Sequence, residues 1–497
     1  MMIKLKQLDV GPIIGHTTHN TVRLWGAIPP EIEQTIQSED GKFDIGVVRL
    51  RKLPNGNYRQ HKIRFNANFH FTGVIELNEL EADSRYEYQV GYTSAESSEP
   101  ISHESLFSWP NLASYYFKTA KLQPNQLHFV MGSCLYPHLL EFRSNNDGPL
   151  SKLDKRIDKV FTVLPELNEN KTVDFMLLMG DQIYADPWNK LWKQGTSEEE
   201  FRHIYRTVFK QKNLRLALAN FPTYMVMDDH EINDDFTNGI REYILKEPER
   251  LTQGINAFYA YQAIHGPLYN SVKKEGNVAY VKGQDEYELP MRHYYQLDKG
   301  VAGFFVTDTR LERTNNAIMS DEQLQALKDW LTESTHKVKF VVSSVTVIPD
   351  ATPPMETTPD NWAHSFTQRK ELLDYIVQNR IKNVIFLSGD VHTSFACQLI
   401  VNQQPYPVHQ LVCSGLFWPH FIGFGMLRWK EKWVNFGKNI PDTEYTVSEP
   451  LADAGSKHSY FPGNGIASVQ VENDTVIFSV INRRGLKETL RHTIELE

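Results

Sequence analysis

The sequence predicts a layered α/β domain, in which β-sheets are flanked by helices, preceded by an N-terminal antiparallel β-sandwich domain. Residues 1 to about 120 consist of short alternating segments separated by Pro, Gly, Asn and Asp turns, which is typical of antiparallel strands. From about residue 126, apolar strand-like runs alternate with amphipathic helical segments, as in layered α/β domains. We therefore expect two domains, residues 1–120 and 126–497, with a boundary near Pro124.

Length and composition agree with two domains and exclude several classes of protein. The chain has 497 residues, of which 41% are hydrophobic and 12% aromatic, enough for large buried cores. Its net charge of −9 and its lack of long Lys or Arg runs argue against nucleic-acid binding. Its three cysteines, Cys134, Cys397 and Cys413, have no CxxC spacing and are too few for a disulfide framework. We interpret Cys397 and Cys413 as core residues.

The start of the chain, MMIKLKQLDVGPIIGHTT, contains no apolar stretch of signal-peptide length, and no membrane-spanning run of about eighteen apolar residues follows. We therefore expect a cytoplasmic protein, unless an export signal has been removed from the sequence.

The N-terminal strands are predicted from the segments TVRLWGAI, FDIGVVRLRKL, KIRFNANFHFTGVIEL and SRYEYQVGYTS. Within LEADSRYEYQV, Tyr86, Tyr88 and Val90 alternate with a period of two after a polar turn. This pattern resembles the tyrosine-corner region of fibronectin-like sandwiches, so we expect a fibronectin-like β domain.

The strands of the second domain are predicted from LHFVMGSC, VDFMLLMGD, TYMVMDDHE, VAGFFVTDTR, VKFVVSSVTV and NVIFLSGDVH. Most are apolar throughout, which indicates that both of their faces are covered. SKLDKRIDKVFTVLPEL predicts a helix between such strands. SDEQLQALKDWL predicts another, with Ser320 as the N-cap and Gln323 completing a capping-box pattern.

Five of these strands end in polar side chains: Ser133 and Cys134; Asp181 and Tyr184; Asp228, Asp229, His230, Glu231 and Asn233; Asp308 and Arg310; Asp390 and His392. In layered α/β folds, ligands bind where the loops after the strands converge. A single Asp after a strand is more often a turn residue or an N-cap, but turn chemistry does not explain His, Tyr, Cys and Asn beside several carboxylates. Such a cluster would repel itself unless cations lay within it, so the set predicts a metal site.

The motifs GSC, GDQIYAD, DDHEIND, DTR and GDVH, in this order, resemble the alkaline phosphatase D family of the metallophosphoesterase superfamily. GDQIY fits the GDxxY block of that superfamily, DDHE stands where many members have GNHE, and GDVH stands where they have GHxH. The likeness spans nearly the whole chain. It implies a metallophosphatase domain after an N-terminal β domain, and a phosphoric ester hydrolase of the alkaline phosphatase or phosphodiesterase type.

The resemblance implies these metal ligands: Cys134, Asp181, Tyr184, Asp229, Asn233, Asp390 and His392. It implies iron(III) and calcium as cofactors, with Asp181 bridging the two ions and with the cysteine, the tyrosine and His392 on the iron. Carboxylates at 229 and 390, in place of Asn and His, favour a hard cation at the second position, with manganese, magnesium and zinc as alternatives. Two ligands have alternative interpretations: Cys134 as a buried apolar side chain, and Asn233 as a helix cap.

His230 and Arg310 are the candidate catalytic residues. By resemblance, His230 would contact the substrate or donate a proton, or else support a metal ligand. Arg310 would clamp phosphate oxygens, or else pair with Asp308 or Asp181. The implied reaction is hydrolysis of a small-molecule phosphate mono- or diester by a metal-held hydroxide. Alternative functions are a phospholipase-like phosphodiesterase and a non-catalytic, metal-stabilised binding protein.

Residues 414–437, SGLFWPHFIGFGMLRWKEKWVNFG, combine many aromatic side chains with Arg428, Lys430 and Lys432. One interpretation is a lid that contacts a lipid-like or aromatic leaving group, or a membrane surface. The other is a buried helical hairpin with a basic outer face.

Overall fold

The computed structural model of the chain describes residues 3–36, 38–93, 107–136, 157–186, 194–237, 247–269, 290–351, 360–418, 434–482, 485 and 488–497, and the backbone of residues 272–275 and 278–281. Among these residues, no helix combines the length and the apolar character that a membrane crossing requires.

The first part of the chain is built from strands. They are β1 (Ile3–Lys4), β2 (Val10–Thr17), β3 (Val22–Ala27), β4 (Lys42–Lys52), β5 (Arg59–Asn66), β6 (Thr72–Leu77), β7 (Arg85–Tyr92), β8 (Phe107–Ser108) and β9 (Tyr115–Lys118). Strands β2 to β7 and β9 belong to one antiparallel sheet, and their buried faces enclose a common core in a sandwich-like arrangement. The Tyr86 hydroxyl accepts a hydrogen bond from the Glu81 backbone N–H at 2.9 Å, a contact to an upstream residue of the kind made in tyrosine corners.

The rest of the chain alternates strands and helices. The strands are β10 (Leu127–Gly132), β11 (Phe175–Met179), β12 (Thr223–Val226), β13 (Val272–Glu275), β14 (Val278–Val281), β15 (Tyr295–Lys299), β16 (Ala302–Val306), β17 (Val338–Val342), β18 (Val384–Ser388), β19 (Ser394–Val401), β20 (Gln404–Cys413), β21 (Tyr445–Val447), β22 (Tyr460–Phe461), β23 (Gly465–Glu472), β24 (Thr475–Asn482) and β25 (Glu488–Glu495). The α-helices of the described residues are α1 (Leu164–Asn170), α2 (Glu198–Phe209), α3 (Lys212–Asn220), α4 (Pro248–Phe258), α5 (Asp321–Glu333) and α6 (Phe366–Gln378).

Two mixed sheets pack face to face in this part of the chain. One has the strand order β12-β11-β10-β23-β24-β25, and the other has the order β15-β16-β17-β18-β20-β19-β21, with β22 beside β19. Side chains from both sheets form the core between them, where the Phe129 ring lies 5.4 Å from the rings of Phe304 and Phe340. Helices α1 to α4 cover the outer face of the first sheet, and α5 and α6 cover the second. The predicted layered α/β fold is confirmed.

The sheet topology explains why the polar residues that follow the strands lie at one edge of the sheets. Strands β10, β11 and β12 are parallel neighbours, and so are β16, β17, β18 and β20. The carboxyl ends of parallel strands point to the same edge of a sheet, so the loops that follow them can converge. All five polar strand endings of the sequence follow strands of these two sets.

The N-terminal sheet is joined to the rest of the chain in two ways. The β13–β14 hairpin pairs with β6, with Val278 opposite Leu77, so a later segment extends this sheet. Three arginines also donate to backbone carbonyls across the contact: Arg206 to Ile28 and His70, Arg23 to Gly266 and Tyr269, and Arg215 to Leu8 and Gly11. We call these arginines and their acceptors the arginine interface.

Two predicted helices differ in detail from expectation. Ser320 caps α5, and its hydroxyl accepts from Gln323 N at 3.2 Å. The Gln323 side chain does not complete the capping box, because it donates instead to the Asp308 carbonyl at 3.1 Å and to Glu312 at 2.7 Å. The other helix was predicted from residue 151, but residues 151–156 lie outside the described part, and a 3-10 turn at Lys159–Val163 precedes α1.

Candidate metal centre

Two Gly–Asp pairs bring the strand-end loops into close contact. Gly180, after β11, has φ +100°, and a Cβ atom there would lie 2.3 Å from the Asp228 Cβ. A Cβ atom on Gly389, after β18, would lie 2.2 Å from the Ser133 hydroxyl oxygen. Only glycine fits at these approaches, and each glycine is followed by a carboxylate that enters the cluster.

Several cluster residues have a left-handed backbone. The φ values are 59° for Cys134, 56° for Asp181, 56° for Asp235, 64° for Asp390 and 51° for His392. This conformation costs roughly 1–2 kcal/mol per residue outside glycine, and such strain collects at functional sites. The tight loops therefore direct these side chains into the cluster, against the intrinsic backbone preference of the residues.

Asp181 lies at the middle of the cluster and has 0% exposure. Its Oδ2 accepts the Tyr184 hydroxyl proton at 3.0 Å, whereas its Oδ1 is buried without a hydrogen-bond donor among the described residues. Burial, followed by the charges of Cys134 and Asp229, holds the pKa of Asp181 well above its usual range. The protein alone therefore does not stabilise the ionised carboxylate.

Neighbouring carboxylates show the same deficit. Oδ2 of Asp228 and Oδ1 of Asp229 are also buried without a hydrogen-bond donor in the described chain. Burial raises the pKa of Asp228 to about 6, although the Arg310 charge opposes this change. Burial and the Asp228 charge raise the pKa of Asp390 as well. Arg310 Nη2 lies 3.5 Å from Asp229 Oδ1, but one arginine does not balance several buried carboxylates, so the cluster requires cations or protons.

The donor atoms are close enough to share metal ions. Ligand atoms within 4.8 Å of one another form five groups among the described residues: Cys134, Asp181 and His392; Asp181, Asp229 and His230; Asp228, Asp229 and Asp390; Asp186, His230 and Asp234; Asp229, Asp235 and Asp360. The first group offers sulfur, nitrogen and oxygen, a set that suits iron or zinc, and the third offers only carboxylates, a set that suits hard cations. Asp181 belongs to two of these groups and Asp229 to three, so neighbouring groups share carboxylates. The residues present thus fit a two-metal centre.

Cys134 is fully buried and lies between two serines and the Asp390 carbonyl. Burial and the Asp390 charge raise the pKa of its thiol to about 12 in the absence of a cation. Its position beside Asp181 and His392 favours the interpretation as a ligand over the interpretation as an apolar core residue. Cys397 and Cys413 lie within the hydrophobic cores, as predicted.

His230 is held by a residue to which the sequence assigned no role. Its Nδ1 forms a short contact with the Asp186 carboxylate, and its Nε2 lies 3.6 Å from Asp234 Oδ1. Burial lowers the pKa of His230, but the charges of Asp229 and Asp186 outweigh this effect and raise it to about 10. Asp186 is the last residue of the GDQIYAD motif, and this motif is the sequence feature that could have identified it as a site residue.

Arg310 does not have the partners that were predicted for it. Its Nε donates to Asp228 at 2.6 Å, and its Nη atoms donate to both oxygens of Asp360 at 2.8 and 2.7 Å. The prediction of Asp308 or Asp181 as partner is wrong, because the Asp308 carboxylate accepts the backbone N–H groups of residues 310–312. With 0% exposure, Arg310 fixes carboxylates and presents no free fork to a phosphate.

Both polar atoms of the Asn233 side chain have partners within the protein. Its Oδ1 accepts from Arg250 at 3.2 Å, and its Nδ2 donates to the Asp234 carbonyl at 3.0 Å. As a metal ligand, Asn233 would have to release or share its Oδ1 contact with Arg250, so its ligand role stays a prediction.

Glu231 joins two of the loops through its carboxylate. One oxygen accepts the backbone N–H groups of Asp181 and Asp228 at 3.1 and 2.9 Å, and the other accepts that of Gln182 at 2.8 Å. It fixes the β11 and β12 loops relative to each other. Glu231 is one of the polar residues that follow β12 in the sequence, where no role is predicted for it.

An aromatic surface borders the cluster. The Trp418 ring stacks on His392 with centroids 3.6 Å apart, and the Tyr136 ring lies 4.9 Å from Trp418 and 4.8 Å from Tyr184. Trp418 belongs to the predicted lid segment 414–437, of which residues 419–433, including Arg428, Lys430 and Lys432, lie outside the described residues.

A separate cleft of about 1220 Å³ lies between the N-terminal sheet and the α/β layers, with His128, Asp174 and Lys299 among its lining residues. His128 and Asp174 are at the amino ends of β10 and β11, opposite to the cluster. None of the cluster side chains lines this cleft.

The fold and the carboxylate-rich cluster define a metallophosphatase-type protein, and comparison with known proteins gives the family. The model of the PhoD-like phosphatase family matches residues 155–421, more than half of the chain, so the chain belongs to that family. Alkaline phosphatase D of Bacillus subtilis (strain 168) is 26% identical over 292 residues. That match covers 50% of this chain and 46% of the relative, so it spans about half the length of the curated relative.

Solved structures confirm the fold. The structure of PhoD matches with a TM-score of 0.65 and 17% identity, covering 95% of this chain and 86% of that one. A purple acid phosphatase from yellow lupin (Lupinus luteus) seeds matches with a TM-score of 0.59 and 12% identity, covering 97% and 74%. The family resemblance predicted from the motifs is confirmed.

Proposed function

We propose that this chain hydrolyses phosphate mono- or diesters of small molecules at the strand-end cluster, with two bound cations. The observation that carries the proposal is the convergence of three buried carboxylate oxygens, from Asp181, Asp228 and Asp229, that have no hydrogen-bond donor among the described residues and lie beside a cysteine and two histidines. Membership of a phosphatase family agrees with this chemistry.

The two ends of the cluster would hold different ions. Cys134, Tyr184 and His392 would hold iron(III), Asp229 and Asp390 would hold calcium or a similar hard cation, and Asp181 would bridge them. When bound, such cations neutralise phosphoryl oxygens and make water a stronger nucleophile. The hydrogen bond from Tyr184 to Asp181 would be lost on ligation, because the phenol must give up its proton.

His230 is proposed to donate a proton to the leaving oxygen. The contact with Asp186 fixes the ring through Nδ1, so Nε2 is the atom that can reach a substrate. The Asp186 carboxylate favours the protonated imidazole, which suits expulsion of an alkoxide. Asp186 is thereby proposed as a positioning residue.

Arg310 is proposed to act through Asp228 and not on the phosphate. It neutralises part of the carboxylate cluster and links it to Asp360, which also accepts from Arg313 at 2.6 Å. Its removal would leave several buried carboxylates without a counter-charge.

The test is hydrolysis of a chromogenic phosphate monoester and diester from pH 6 to 10, with iron and calcium supplied. Asp181→Asn is expected to lower kcat by at least about 100-fold, because loss of a supporting outer residue alone costs 10–100-fold at metal sites. Asp174→Asn is the matched control: Asp174 directly precedes the same strand, β11, at its opposite end, and this variant should keep its activity.

The outcomes separate the alternatives. A high ratio of diester to monoester hydrolysis, with faster turnover of aromatic or lipid-like leaving groups, would favour the phospholipase-like diesterase, for which the Trp418 and Tyr136 surface is the supporting observation. Metal retention with no hydrolysis of either ester would contradict the proposal and favour a binding protein.

A further inference from the structure

Two serines contact the Cys134 sulfur from different loops. Ser133 Oγ lies 3.3 Å from Cys134 Sγ, and Ser414 Oγ lies 3.1 Å from it. Ser133 follows β10 and Ser414 follows β20, and both side chains are buried, with 1% and 0% exposure. The sulfur is therefore enclosed by hydroxyls that have no access to solvent.

The backbone decides where the hydroxyl protons point. Ser133 Oγ accepts the N–H of Asp390 at 3.2 Å, and Ser414 Oγ accepts the N–H of His392 at 2.8 Å. Each hydroxyl has a single proton to donate, and the sulfur is within reach of both oxygens. We therefore assign both O–H protons to Cys134 Sγ.

If Cys134 were a neutral thiol, two hydroxyls donating to its sulfur would gain little from the contact. Sulfur in a thiol is a weak acceptor, and two other buried serines nearby, Ser343 and Ser388, donate to the Val345 carbonyl at 2.6 and 2.9 Å instead. Two buried donors aimed at one sulfur are typical of a metal-ligating cysteine, because hydrogen bonds from outer residues tune the ligand.

We propose that Ser133 and Ser414 are positioning residues that set how strongly the Cys134 sulfur donates to the bound iron. This inference rests on the proposed function, in which Cys134 is an iron ligand. Each serine also connects the sulfur to another ligand loop, since Ser133 fixes the backbone at Asp390 and Ser414 fixes it at His392. The pair thus couples three candidate ligands that come from two different loops.

The experiment measures the visible absorption spectrum and the iron reduction potential of the full chain loaded with iron(III). The cysteine contribution is defined as the charge-transfer absorption that Cys134→Ser abolishes and Tyr184→Phe retains. Removing a hydrogen bond from sulfur increases its donation to iron, so Ser414→Ala and Ser133→Ala are each expected to move this band to longer wavelength and to lower the reduction potential. Ser414→Thr keeps a hydroxyl and should restore both values.

Metal retention gives a second readout that distinguishes the two serines. Ser414→Ala should weaken iron binding about 10-fold, and Ser133→Ala should also weaken the second ion, because Asp390 belongs to the carboxylate group. Ser388→Ala is the matched control, since Ser388 is buried and donates to a carbonyl without touching Cys134. It should leave the band unchanged. The two alanine variants are independent, so failure of one to fold leaves the other decisive.

The results separate this inference from the function on which it rests. A cysteine-dependent band that both alanine variants leave unchanged overturns the role of the serines while the metal centre stands. A wild-type protein that loads iron without any cysteine-dependent band overturns both the ligand role of Cys134 and this inference, whereas ester hydrolysis is measured separately.

Discussion

The arginine interface and the strand-end cluster both bury charge, and they differ in how that charge is compensated. Arg206 donates to two backbone carbonyls and pairs with Asp9, so its contacts are made within the protein. The cluster leaves oxygens of Asp181 and Asp229 without hydrogen-bond donors among the described residues. Throughout the described part of the chain, the buried carboxylate oxygens without a donor all lie at the cluster, and such a concentration of carboxylates points to bound cations.

This comparison predicts that the two regions respond to different perturbations. The interface should depend on the arginines and not on metals. The cluster should depend on metals, and removal of one of its charges should help the metal-free protein. Each prediction below tests one side of this difference, in order of expected effect.

Arg206→Ala should lower the free energy of unfolding by about 3 kcal/mol, because it removes a buried charge and leaves the carbonyls of Ile28 and His70 without this donor. Urea unfolding with and without chelator is the measurement. Arg202→Ala is the control on the same helix, where a partly exposed ion pair with Glu198 and a contact with the Phe71 ring should together contribute at most about 1 kcal/mol. Equal losses in the two variants would show that the interface is not a main source of stability.

Chelation should lower the free energy of unfolding of the wild type by about 2.7 kcal/mol relative to protein with metal at 100 times its Kd. The same decrease in the free energy of unfolding is expected in Arg206→Ala, within about 0.5 kcal/mol, because in the described part of the chain Arg206 and the cluster share no hydrogen-bond partner. Calorimetric melting of both proteins, chelated and loaded, checks this. A decrement that vanishes in Arg206→Ala would mean that the regions are one unit.

The interface should also be sensitive to acid. Burial, with the charges of Arg202 and Arg206, lowers the pKa of His70 to about 3, so the folded protein keeps this histidine neutral. The unfolded chain takes up a proton below pH about 6.5, so stability falls as the pH falls from about 6.5 towards 3. His70 has φ 57°, a conformation that Asn tolerates, so His70→Asn is the appropriate variant.

Between pH 6.5 and 5, His70→Asn should reduce the pH slope of the unfolding free energy of chelated protein by up to about 1.4 kcal/mol per pH unit. In chelated protein, the metal-free cluster contributes equally to the pH slope of wild type and of His70→Asn. His203→Asn, an exposed substitution on α2, should leave the slope unchanged. An unaltered slope in His70→Asn would contradict the assignment of a neutral buried imidazole.

The sequence predicted those parts of the molecule that depend on local pattern. Strands β10, β11, β12, β16, β17 and β18 are recognisable from apolar runs, and the Gly–Asp pairs locate two of the three turns that carry cluster carboxylates. The convergence of Cys134, Asp181 and His392 followed from the rule that parallel strands end at a common edge.

The remaining features depend on contacts between distant segments, which no local pattern encodes. Arg310 pairs with Asp360, fifty residues away in a segment without periodicity, and this partner was missed. Gln323 looked like half of a capping box, but tertiary contacts with Asp308 and Glu312 took its side chain. The pairing of the β13–β14 hairpin with β6 was likewise invisible, because strand pairing across the chain has no sequence signature.

The most direct test of the central claim is the free energy of unfolding of wild type and Asp181→Asn, each measured chelated and metal-loaded. Asn can still accept the Tyr184 hydroxyl proton but carries no charge, so the variant should be more stable than wild type by about 1 kcal/mol when chelated and less stable when loaded. Asp174→Asn should show no such reversal. An Asp181→Asn protein that is destabilised equally in both states would contradict the account, because it would mean that the buried carboxylate is satisfied by the protein alone.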